Sequence, residues 1–135
     1  MLSALSLLWS AIWPFVFGAL GWFAANFVAK PLLDFLTLRS QVQEEIIYTD
    51  NVGHMMLDTP SFDKAMDSLR RLGAKMLAMD ASAWSCQRSL FSKQKCDLPT
   101  AGKNLIGLSN ALADYDGRAV HIDRVRRALK LPRAS

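Results

Sequence analysis

Apolar side chains run from the start of the chain to Lys30 without a single charge: "SALSLLWSAIWPFVFGALGWFAANFVAK" holds no Asp, Glu, Lys or Arg before its last residue. A hydrocarbon layer about 30 Å thick takes roughly 20 apolar helical residues to cross, so this pattern predicts a transmembrane helix. From Trp9 to Lys30 such a helix rises roughly 32 Å, setting an indole at one interface and an ammonium at the other. Two other readings account for the pattern less well. A cleavable signal peptide wants a basic leading region and an apolar core of about 7 to 15 residues, and here no basic residue comes before Lys30. A buried helix of a soluble domain needs a larger protein to cover Trp9, Trp13 and Trp22. Pro14 predicts a kink, which spans tolerate.

Past Lys30 the pattern becomes amphipathic. In "LLDFLTLRSQVQEEIIYTD" the residues Leu32, Phe35, Val42 and Ile46 share a helical row, with Leu33, Leu36 and Ile47 beside it and a stop expected at Asn51 and Gly53. A further helix is predicted at "DTPSFDKAMDSLRRLGAKMLAMD", capped by Asp58 or Thr59, with Pro60 in its first turn. Its stripe is Phe62, Ala65, Met66, Leu69, Leu72, Gly73, Met76 and Met79. Around Trp84, Leu90 and Phe91 the spacing fits a short helix or a packed loop equally. Ala101, Leu105, Leu108 and Leu112 form another helical row, with a break expected at Gly117. The last element carries Ile122, Val125 and Leu129 on a narrow stripe. No alternating strand pattern occurs. The expected fold is therefore all-α: a transmembrane anchor over residues 1–30, then a soluble domain over 31–135 built as a bundle of three to five helices.

Charge is confined to the second part. All 16 basic and 12 acidic residues lie from Lys30 onward, giving a net charge of +4. Lys30 and Arg39 follow the span closely and no basic residue lies ahead of it, so the positive-inside rule predicts a cytoplasmic helical part and an outward N-terminus. Within the span, Ala4, Ala11, Gly18 and Ala25 recur every seven residues, and Gly21 adds a small residue beside Gly18. Such a face lets two helices approach closely, and Ala11, Gly18, Gly21 and Ala25 are the candidate self-association interface. Asn26 is a polar group suited to bonding across a dimer or reaching headgroups. Near the other end, Arg118, Arg124, Arg126, Arg127, Lys130 and Arg133 outnumber Asp123, a pattern suited to anionic lipid or to an acidic partner surface. The alternative is a solvated face. Nucleic acid ranks last, since the segment lacks aromatics and no recognition module is present.

Catalytic signatures are missing. Cys86 and Cys96 stand ten apart, unlike zinc ligands, and His54 and His121 complete no metal set. "GKNLIGLS" has the wrong order for a phosphate-binding loop. A hydrolase reading would recruit Ser109 or Cys86 with His121 and Asp123, with no G-x-S-x-G context around them. No cofactor, metal or enzymatic activity is expected. A cytoplasmic location predicts reduced thiols.

The order of an N-terminal span, "FLTLRSQVQEEIIYTDNVG", "LRRLGAKMLAM" and "NLIGLSNAL" resembles a set of small, uncharacterised bacterial membrane proteins. The resemblance implies a bacterial inner-membrane protein with a single pass; it carries no activity or site residue. Together these observations predict a membrane-anchored helical interaction or accessory protein. Its partners would be the lipid bilayer and a second copy or another membrane protein.

Overall fold

The computed structural model describes residues 2–52 and 59–132, with backbone alone at 2–8, 10–11, 51–52 and 86. It comprises α1 (Leu2–Ala24), a π-helical turn (Ala25–Ala29), α2 (Lys30–Val52), α3 (Pro60–Ser82), α4 (Ser85–Lys93), α5 (Leu98–Asn110) and α6 (Tyr115–Leu129). No strand occurs among the described residues. The chain divides into two compact units, Met1–Phe35 and Leu36–Ser135.

In the first unit α1 passes through Pro14 without a break in its helical assignment. A turn of different geometry follows at Ala25–Ala29, where the Lys30 N–H bonds the Ala25 carbonyl five residues back. Pro31 accounts for it: proline offers no N–H, and its ring crowds the carbonyl four residues earlier, that of Phe27. A wider turn relieves both faults. Asn26 contributes by donating its Nδ2 to the Trp22 carbonyl at 2.9 Å, so its amide is satisfied within its own helix. Aromatic rings line the helix one turn apart, with Trp13 placed 5.9 Å from Trp9 and 5.5 Å from Phe17 between ring centres. The helical run Ile12–Asp50 is long and apolar enough to cross a membrane, and none of its apolar window is buried.

The second unit packs the remaining helices around a core of Leu38, Val42 and Ile46 from α2, Leu69 and Met76 from α3, Phe91 from α4, Leu105 and Leu108 from α5, and Val125 and Leu129 from α6. Two glycines fix the closest crossing. A Cβ added to Gly73 would stand 2.8 Å from the Gly102 carbonyl oxygen, and one added to Gly102 would stand 2.9 Å from that of Gly73, so α3 and α5 meet backbone to backbone. Asp97 caps α5 by accepting from Thr100 N–H at 3.0 Å, and its own N–H bonds the Ala128 carbonyl of α6 at 2.9 Å. At the far end of α6, Lys130 takes a left-handed conformation (φ 53°) and Leu131 N–H bonds the Arg126 carbonyl at 2.9 Å, closing the helix in a Schellman turn.

Several expectations change here. The stretch around Trp84 forms a helix, α4. Gly117 breaks nothing: it lies in the first turn of α6, where its N–H is bound by the Asp114 cap at 3.2 Å. Thr59 stands at the N-cap of α3, yet its side chain makes no capping bond. On α2 the buried row runs through Leu38 and Thr49, whereas Leu36 and Ile47 are exposed. The neighbouring helices cover a narrower stripe than the apolar spacing suggested. The expected stop at Gly53 and the Asp58 cap lie outside the described residues.

Candidate interaction surfaces

On the first unit the small-residue face is open. A Cβ placed on Gly18 or Gly21 would find nothing within 4 Å. Ala25 opens the π turn. Ala11 has no described side chain. The large neighbours are bare: Phe15 is 84% exposed and Phe17 and Trp22 are close to two thirds exposed.

On the second unit α6 does not present its basic residues as one patch. Arg118 is only 4% exposed, and its guanidinium carbon lies 5.6 Å from the centre of the Tyr115 ring. Arg126 faces Asp50 of α2 at 3.7 Å, and Arg127 pairs with Asp123 one turn back on its own helix. Arg124 and Lys130 are exposed, and the Lys130 carbonyl receives Arg39 Nη2 at 2.7 Å, tying α2 to the end of α6. Arg133 lies outside the described residues.

Of the residues considered for hydrolysis, Ser109, His121 and Asp123 are engaged elsewhere. Ser109 is fully buried; its hydroxyl donates to the Ile106 carbonyl at 2.7 Å and accepts from Arg70 Nε at 3.3 Å. His121 donates from Nδ1 to Asn104 Oδ1 at 3.0 Å. Asp123 holds Arg127. Cys96 carries a free thiol whose pKa is raised by burial, partly offset by the nearby charges of Arg39 and Lys130. Raising that pKa keeps the thiol protonated and weakens it as a nucleophile. The Cys86 side chain and His54 are outside the described set. Among the described residues no group of three or more His, Cys, Asp or Glu side chains is placed to hold a metal ion.

One surface that the amino-acid pattern did not single out lies between α2 and α3. A cleft of about 530 Å³ is lined by Glu44, Glu45, Ile47, Tyr48, Lys64, Ala65 and Ser68, and a second of about 290 Å³ adjoins it through Glu44, Glu45 and Ser68 and extends to Lys75. The exposure of Ile47 was the missing signal, since its spacing placed it beside the core row. Set against known proteins, the chain matches no family model, no curated protein and no solved structure.

Proposed function

We propose that this chain is a single-pass membrane protein whose helical unit works by interaction, as an accessory or scaffolding module and not as an enzyme. The observation that carries the reading is the bare apolar helix. Phe15, Phe17, Trp22 and Phe23 are all at least half exposed along a helix with no charge before Lys30. Fully burying an aromatic or branched apolar side chain gains about 1.5 to 3 kcal/mol, so leaving a whole row of them in water is untenable, and lipid is the medium that suits them. Trp9 and Trp13 toward one end and Trp22 toward the other fit the aromatic belts of the two interfaces. Lys30 and Arg39, following the span closely, support a cytoplasmic helical unit at a bacterial inner membrane with the N-terminus outside. The open Gly18 and Gly21 positions support association of two spans.

A second reading, in which the last helix binds anionic lipid or an acidic partner, draws support from the exposed Arg124 and Lys130. With Arg118 buried and Arg126 and Arg127 paired to carboxylates, its charge is smaller than the composition suggests.

A topology map tests the first reading. A reporter fused after Ser135 is expected to register on the cytoplasmic side, with Cys96 protected from a membrane-impermeant thiol reagent in intact cells; a reporter active only outside the membrane overturns the orientation.

A further inference from the structure

The cleft between α2 and α3 has a charge pattern of its own. Glu44 and Glu45 stand on the α2 wall and Lys64 and Lys75 on the α3 wall, while Ile47 and Tyr48, one turn along α2 from the glutamates, are nearly half exposed. Among the described residues none of these four charged groups has an opposite charge within 4.0 Å, although Arg71 on the same wall is paired with Asp67. The groove thus holds acids on one wall and bases on the other that do not close on each other, with exposed apolar side chains beside the acids.

We infer that this groove receives the same groove of a second copy of the chain, the two related by a two-fold axis. In a two-fold contact a patch meets itself, so residue i of one copy meets j of the other and j meets i. A patch carrying both signs on opposite walls satisfies itself in that arrangement: Glu44 and Glu45 of each copy meet Lys64 and Lys75 of the other. Ile47 and Tyr48, on the same wall as the glutamates, meet the α3 wall of the other copy and lose their exposure to water. A partner of one sign would leave one wall against a like charge, which costs affinity. The inference rests on the interaction reading above and adds its partner and surface, independently of the glycines in the span.

The test uses the full chain in native membranes or detergent micelles, as a mixture of ¹⁴N- and ¹⁵N-labelled copies. A zero-length carbodiimide that couples carboxylates to lysines is expected to yield mixed-isotope links from Glu44 or Glu45 to Lys64 or Lys75. By light scattering in micelles, Glu44→Lys with Glu45→Lys is expected to weaken the dimer about tenfold or more. Adding Lys64→Glu with Lys75→Glu to the same chain restores it, because the swapped walls again complement each other. The links persist in Gly18→Leu with Gly21→Leu. Links within single copies only, or a dimer indifferent to the charge reversal, overturn the inference. So does a reversal that alters only pelleting on anionic vesicles, which assigns the groove to the membrane surface. Recovery in the membrane pellet with single-isotope links alone overturns the contact while the anchor stands; mixed-isotope links from chain released into the supernatant sustain the contact while the anchor falls.

Discussion

Thr49 sits in the core of the helical unit at 1% exposure, and its hydroxyl has no hydrogen-bond partner. Burying an unsatisfied hydroxyl costs about 1 to 3 kcal/mol, whereas a methyl of the same shape costs nothing. Thr49→Val is therefore expected to raise the thermal midpoint of the helical unit, read by circular dichroism in micelles; a lower midpoint would mean that the hydroxyl is satisfied after all. Asp97 presents the opposite case, since its carboxylate serves the first turn of α5. Removing it in Asp97→Ala is expected to destabilise by about 1 kcal/mol. Cys96 links stability to pH. Its pKa is raised in the folded chain by burial, so above roughly pH 8.5 the unfolded chain loses the thiol proton first. The folded state then holds more protons, and stability falls as pH rises. Denaturation midpoints of wild type and Cys96→Ala should diverge across that alkaline range, and parallel curves would remove the effect. None of the three was visible in the pattern of apolar positions. A threonine beside an apolar row, a capping aspartate and a half-buried thiol acquire their roles from the groups that pack against them.

At the scale of elements, α3 was legible because eight apolar or small residues repeat at helical spacing behind Pro60, and the structure buries Ala65, Leu69, Leu72, Gly73 and Met76 of that stripe. Helix α4 was not, since its nine residues carry few apolar positions and periodicity needs more turns to declare itself. Gly117 misled for a different reason. Glycine is permissive as well as disruptive, and Asp114 ahead of it supplies a cap that outweighs its low helix propensity. The crossing of α3 and α5 depends on two glycines that no spacing rule pairs. Alanine at either Gly73 or Gly102 drives a methyl into the opposing carbonyl, and the expected cost is about 1 to 3 kcal/mol in the unfolding free energy. Gly18→Ala, in open space, is expected to leave the stability of the helical unit unchanged when measured beside them.

For the whole molecule, the segregation of charge is decisive. All 28 charged side chains (16 basic and 12 acidic) come from Lys30 onward, so an uncharged stretch, within a helix long and apolar enough to cross a membrane, is followed by a charged helical part. That division was readable from the amino-acid order alone, because it depends on composition over some thirty positions and on no tertiary contact. The groove between α2 and α3 was not readable, because its walls come from two helices whose mutual placement the order of residues does not reveal. Membrane residence is tested most directly by alkaline carbonate extraction of cells making the full-length chain, with mass measurement of the protein that stays with the lipid. A permanent span predicts the intact 15.0 kDa chain in the extracted membrane pellet. Release of the intact chain into the alkaline supernatant, or recovery only of a form lacking the apolar helix, would contradict it.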